Sequence, residues 1–424
     1  MITVWYAQDG TSAAEWLIDN TSLKPMVANG QAQAKRLYAS DRSKDFHTQP
    51  MRIKEILYLD QPDIILTKSE LGHEAPFASL EISEEAGSGH NGFQRFGRVA
   101  AAAERGVAAF YIYPEAIWVG RRKQGTLTGT WDQINPNVYL SLERLMSVHG
   151  VPALLYHFPT DFAGDRHQPP GSNASPKGQL YDAHHAGCPS ASDASMRNLV
   201  DDIDQVIKLA MGMPTIDVGR AFLTTTAAQD RRTWMMTQYA NGLLRKPGDS
   251  LWSPVTAAVE IETADLLSHL SAYAGANHDF GDLLASRTHT VIYQADSAIR
   301  SDPYAGALAA IDYLLCGRGK TYEQREKNLV IAWGSVSESE HGIQIAGRAS
   351  VNDFVDPIRT LYTSPTGPVK LGKTFSELKR KNDIPRYMMQ VRYGTMFTKS
   401  KEARMFAYIA DALLFEDGAL WREA

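Results

Sequence analysis

Two carboxylates stand out for their spacing. Asp63 follows Pro62 at the start of an apolar run, PDIILT (62–67), and Glu81 lies 18 residues on, near the end of a second run, FASLEIS (77–83). Both runs read as strands. On adjacent strands of a bent hairpin the two acids would converge on one hard divalent cation. Mg²⁺ suits a partial oxygen cage of this kind, because it keeps several waters and takes a substrate phosphate oxygen as well. Such an ion stabilises charge on a phosphoryl group and helps to generate hydroxide. Strand alternation puts Glu81, Ser83 and Glu85 on one face, and the Ile82 carbonyl is a further candidate ligand. These residue types point to metal-assisted phosphodiester hydrolysis.

Pro62-Asp63, a spacer and Glu81-Ile82-Ser83, followed by a helix and then a strand, together resemble the PD-(D/E)xK nuclease superfamily of restriction and repair enzymes. The resemblance covers residues 50–115, extending toward 158. It implies an α/β (α+β) chain with a restriction-endonuclease-like central mixed sheet flanked by helices. It also implies Mg²⁺ as cofactor, DNA as partner, and Asp63 and Glu81 as metal ligands. A supporting carboxylate on the preceding helix is often part of the pattern, and Glu55 is the candidate. The third motif position is usually a lysine that helps to activate water, whereas this chain has Ser83. Lys68, Arg95 and His90 are the candidates to replace that charge or handle the proton, with Ser83 itself able to orient the water. In EAGSGHNGFQRFGR (85–98), Gly87 and Gly89 allow close backbone approach. His90, Asn91, Gln94 and Arg95 then cluster at a helix start, where N–H groups favour an anion. The missing lysine also keeps open a second class, a catalytically silent nuclease-like fold that binds nucleic acid or a partner protein.

These residues need elements to position them. The pattern predicts a helix over 52–59, strands over 62–67 and 77–83, a helix over 93–104 that stops at Gly106, and a strand over 108–114. A polar, Gly-rich stretch, GRRKQGTLTGTWDQ (120–133), precedes a helix over 137–148 and a strand over 151–158. Residues 163–195 are rich in Gly, Pro, Ser, Asp and His and read as a loop. A capped helix follows from Asp193 to Met211. Further strands are expected over 288–296 and 328–334, with the helical AGALAAIDYLLCG between them. The expected organisation is a nuclease-like core (1–160), a loop or linker (161–195), a mixed α/β region (196–350) and a basic, helical or mixed C-terminal region (351–424).

Composition narrows the partners. The formal net charge is -5, so the whole chain is no polycation and any polyanion must meet a local basic patch. One such patch lies between Arg359 and Arg404, where eleven basic residues, Lys379, Arg380 and Lys381 among them, face only Glu377, Asp383 and Glu402. Tyr and Phe residues are interleaved there, a pattern suited to phosphate contact and base stacking. Cys188 and Cys316 are too few for a disulfide framework or a four-thiolate zinc site. His157, His167, His184, His185 and Cys188 read as a polar His-rich loop. CGRGKT (316–321) is no phosphate loop, since Leu314 stands where the first glycine is required. No window approaches a membrane span and the two cysteines suit a reducing compartment, so a soluble cytoplasmic protein is expected; the resemblance also implies a homodimer, whose two sites would cut both strands of a duplex.

Overall fold

The apolar runs around Asp63 and Glu81 become the middle of a six-stranded mixed sheet. In the computed structural model, residues 1–7, 10–38, 48–57, 61–83, 91–123, 126–134, 137–171, 178–243, 258–273, 284–294, 327–332, 334–339, 342–347, 412–415 and 418–421 are described. The chain divides into two compact units, residues 1–39 with 48–253, and residues 40–47 with 254–424.

The first unit carries β1 (Ile2–Tyr6), β2 (Ala32–Arg36), β3 (Ile64–Glu70), β4 (His73–Ile82), β5 (Ala108–Pro114) and β8 (Ala153–Phe158) in the order β2-β1-β3-β4-β5-β8. β3 is antiparallel to β1 and to β4, while β4, β5 and β8 run parallel. A two-residue turn at Leu71-Gly72, both with positive φ, joins β3 to β4, as a tight hairpin with right-handed strand twist requires. Parallel strands covered on both faces read as continuous apolar runs, and every residue of β5 and β8 is buried.

Helices cover this sheet. α4 (Asn91–Ala103) and α5 (Asn137–His149) pack on each other and on β4, β5 and β8, while α6 (Ala194–Gly212) and α7 (Thr215–Leu223) pack on β4 and β8. α8 (Thr226–Leu243) lies against α5 and β8. Three shorter helices, α1 (Thr11–Asn20), α2 (Leu23–Ala28) and α3 (Met51–Leu57), pack on β1, β2 and β4 in turn. α6 begins where the Asp193 side chain accepts from the Ser195 N–H, a standard N-cap. It is tied to β8 by the Tyr156 hydroxyl, which donates to Asp202 at 2.5 Å. Burial raises the Asp202 carboxyl above the usual carboxylate range, against the opposing pull of Tyr156 and Arg231. Residues 194–243 therefore fold with the six-stranded sheet. The compact-unit division falls after Ser253, well beyond the boundary expected near 160.

Between β5 and α5 the chain forms a separate two-stranded hairpin, β6 (Ala116–Lys123) with β7 (Thr126–Gln133), where a polar Gly-rich stretch was expected. Residues 159–171 and 178–193 are irregular apart from two isolated bridges, Thr160 with Gln179 and Tyr181 with Pro189.

In the second unit, β9 (Ala258–Glu262), β10 (His289–Gln294), β11 (Asn328–Ala332), β14 (Ala412–Phe415) and β15 (Gly418–Trp421) form a sheet in the order β15-β14-β11-β10-β9. α9 (Thr263–Tyr273) and the hairpin β12 (Gly334–Ser339) and β13 (Gly342–Gly347) accompany it. Ile261, Leu266, Ile292, Val330, Ile345 and Leu414 build its core. The strands expected over 288–296 and 328–334 are β10 and β11. The expected helix over 305–317, the CGRGKT segment and Lys379, Arg380 and Lys381 lie outside the described residues. Among the described residues no helix is long and apolar enough to cross a membrane.

Candidate functional site

The 18-residue spacing of the two acids follows from the hairpin. β3 pairs with β4 as Ile64 with Leu80, so the same register continued by one residue sets Asp63 opposite Glu81. A bulge between Leu66 and Thr67 takes up one residue of β4. The two acids are then locked by crossed hydrogen bonds. The Asp63 N–H donates to Glu81 Oε2 at 3.2 Å, and the Ile82 N–H donates to Asp63 Oδ2 at 2.8 Å. Ser83 continues the edge, its N–H donating to the Ile112 carbonyl of β5 at 2.9 Å.

The remaining carboxylate oxygens face α4. Arg98 Nη1 donates to Glu81 Oε1 at 2.8 Å and to Asp63 Oδ1 at 3.3 Å, and Arg95 Nη1 donates to the same Glu81 oxygen at 2.8 Å. Those distances hold Asp63 Oδ1 and Glu81 Oε1 within about 6 Å of each other. Arg95 and Arg98 are three apart on one helix and so share a face. The Glu81 side chain is 1 % exposed, Asp63 21 %, Arg95 26 % and Arg98 27 %, so the cluster opens to solvent on the arginine side. Beside it, burial pushes the Tyr111 phenol well above its ordinary range, with Tyr113 and Glu81 adding to the effect. Tyr111 is therefore a neutral neighbour at any working pH.

Glu81, Asp63 and Arg95 thus meet at one place, joined by Arg98, which sequence reasoning did not single out. Its signal was the i, i+3 spacing from Arg95 on the helix that follows β4. Lys68 is not part of this cluster. It lies five residues along β3, about 17 Å away at the rise of an extended strand. Its ammonium donates to the carbonyls of Ala210 (2.6 Å) and Met213 (3.1 Å), capping the C-terminal end of α6. Glu55 pairs with Arg52 along α3 at 3.6 Å. On the same helix Lys54 is buried, and burial lowers its pKa. Ser83 is buried and brings no charge. The backbone of Gln94 lies in the first turn of α4; its side chain, His90 and Glu85 are outside the described residues.

The histidines do not form one cluster. His157 is buried between the Tyr113 carbonyl (3.2 Å from Nδ1) and the Tyr139 hydroxyl (3.0 Å from Nε2). A carbonyl only accepts, so Nδ1 carries the hydrogen. His185 instead bridges Asp182 (2.9 Å) and Asp19 (3.1 Å), pinning the 178–193 loop to α1. Burial opposes the charge of His185, but the hydrogen bonds it donates to Asp182 and Asp19 outweigh it and raise the pKa above 6.5. The stabilisation is therefore complete below about pH 6.5 and is lost as pH rises through the raised value. We expect the thermal midpoint of the wild type to exceed that of His185→Gln at pH 5.5, and the gap to narrow by pH 8.5. A gap that does not change with pH would show that the bridge is not charged.

Among the described residues no group of three or more His, Cys, Asp or Glu could hold a metal ion. Asp63 and Glu81 offer a pair of oxygen donors, which suits Mg²⁺ better than a softer ion. A cavity of about 370 Å³ lies beyond the ends of β5 and β8, on the same sheet edge as the acidic pair, with His157, Asn198, Arg231 and Trp234 in its wall. Comparison with protein-family models, curated proteins and solved structures returned no match.

Proposed function

We propose that the chain is a Mg²⁺-dependent endonuclease that hydrolyses DNA, with the first unit as a restriction-endonuclease-like catalytic core. The observation that carries this reading is the convergence of Asp63 and Glu81 from adjoining strands onto one Arg98 nitrogen, at 3.3 and 2.8 Å. A guanidinium nitrogen placed between two carboxylates occupies the position in which they would share a divalent cation. Asp63, Glu81 and the Ile82 carbonyl would hold Mg²⁺. Bound there, the ion would stabilise developing phosphoryl charge and acidify a water molecule.

Arg95 and Arg98 supply the cationic charge that Ser83 lacks. A guanidinium stays protonated at any working pH, so neither arginine can take a proton from water. Their part is to grip phosphate oxygens in a planar fork and to offset charge in the transition state. The carboxylates, being fixed by backbone N–H groups, need little reorganisation to bind a cation. A restriction or defence role, and a homodimer that cuts both strands, belong to the same proposal.

A second reading rests on the same cluster. Two guanidinium groups already neutralise the two carboxylates, which is what a silent nuclease-like fold that binds DNA would also display. Plasmid nicking separates the two. The enzyme reading expects supercoiled DNA to be cut with Mg²⁺ and left intact with EDTA. Arg98→Ala should slow cutting about a hundred-fold, near 3 kcal/mol of barrier. Absence of cutting on plain DNA, methylated DNA and RNA, with binding retained, would favour the silent fold.

A further inference from the structure

From the β6–β7 hairpin we infer a DNA-gripping arm that holds the duplex beside the acidic pair, an inference resting on the nuclease reading above. The hairpin departs from the end of β5, the strand paired with the motif strand. Ile112 of β5 lies opposite Ile82, and Ala116 begins the arm four residues later. Among the described residues the eight-residue strands of the arm pair only with each other, from Ala116 with Gln133 to Lys123 with Thr126. At the rise of an antiparallel strand they span about 27 Å.

The base of the arm is fixed. Ala116, Ile117 and Trp131 are buried. The Trp131 ring meets Trp118 edge-on at 5.6 Å and Phe162 at 5.5 Å. Its backbone N–H donates to the Arg166 carbonyl at 2.9 Å, and its indole N–H donates to the Gln168 carbonyl. The close packing of Trp118 explains Gly129, where any Cβ would fall 2.1 Å from the Trp118 ring. The distal half reads differently. Residues 119–128, VGRRKQGTLT, contain Arg121, Arg122 and Lys123 and no acid, in a chain of net charge -5.

A run of positive charge on a rigidly rooted two-stranded ribbon suits a polyanion. The major groove of B-form DNA is wide enough for such a ribbon, whereas that of A-form RNA is too narrow. Arg, Lys and Thr are also the residue types that contact phosphates. The arm thereby adds to the positive charge that Arg95 and Arg98 already set against Asp63 and Glu81.

The test uses the full chain in EDTA, with a labelled duplex of about 30 base pairs and KCl from about 50 to 300 mM. Replacing Arg121, Arg122 and Lys123 together by Ala should reduce the slope of log K against log[KCl] by about 2 to 3. In nicking assays KM should rise while kcat is kept, because the acidic pair is untouched. Arg121→Lys with Arg122→Lys should restore most of the binding, since charge is conserved. An unchanged salt slope in the Ala variant, with wild type binding and cutting DNA, overturns the arm and leaves the nuclease reading standing. Equal loss in the Lys variant assigns these residues a structural role and also overturns it. A wild type that neither binds nor cuts DNA removes the nuclease reading and the arm with it.

Discussion

Glu81→Gln is expected to lose at least about a thousand-fold in Mg²⁺-dependent cutting, equivalent to about 4 kcal/mol of barrier. The substitution keeps the shape and retains an oxygen to accept the Asp63 N–H, but it removes the charge that would bind the ion. Asp63→Asn should be nearly as severe. Fold should survive both changes. Arg95 and Arg98, which lose their counter-charge, are about a quarter exposed and can be hydrated, so the cost in stability should be near 1–2 kcal/mol. Single-turnover nicking measured beside thermal unfolding separates lost chemistry from lost structure. Cutting within ten-fold of wild type, in a folded Glu81→Gln protein, would place the catalytic centre elsewhere.

Phe110→Ala should have the largest effect on stability. Phe110 is 1 % exposed on β5, beside the edge strand β8, with its ring 6.2 Å from Tyr156 of β8 and 6.0 Å from Phe222 of α7. Truncating a buried Phe costs about 3–5 kcal/mol, and over a unit of this size that lowers the thermal midpoint by about 10 °C. The pairing with Phe222 makes a sharper demand. Phe110→Ala and Phe222→Ala should combine less than additively, because the two rings touch. Strict additivity in urea unfolding would mean that α7 does not dock on β5.

Much of the catalytic-core candidate was legible in the sequence, for reasons that are local. The apolar runs of β3, β4, β5 and β8 mark buried strands, and Gly106 and Asp193 mark helix ends. The structure finds those strands, α4 and α6 within a few residues of the expected limits. β1 went unread. Its five residues pair with β3 about sixty positions away, and no local pattern announces that contact. The β6–β7 hairpin was also missed, because cross-strand pairing and the Trp118–Trp131 contact hold it together rather than an apolar run.

The site shows the same division. Asp63 and Glu81 were readable because a hairpin converts sequence spacing directly into opposition. Lys68 looked close to Asp63 in sequence, but an extended strand carries it to the far end of the sheet, where α6 needs a cap. Arg98 was hidden in a helix that reads as an alanine-rich packing face. Only the crossing of α4 over β4 brings it between the two acids. Sequence spacing could not show that two arginines meet this acidic pair.

The central claim is that Asp63 and Glu81 share a divalent cation in exchange for Arg98. Titration of Mn²⁺ into the full chain, followed by the electron paramagnetic resonance of the free ion, measures this without requiring any activity. Wild type should take up Mn²⁺ at the acidic pair, Mg²⁺ should compete for it, and Arg98→Ala should bind more tightly because no guanidinium has to leave. Asp63→Asn with Glu81→Gln should abolish that uptake. Equal Mn²⁺ uptake by wild type and the double variant would contradict the account, and so would the absence of uptake by wild type and Arg98→Ala alike.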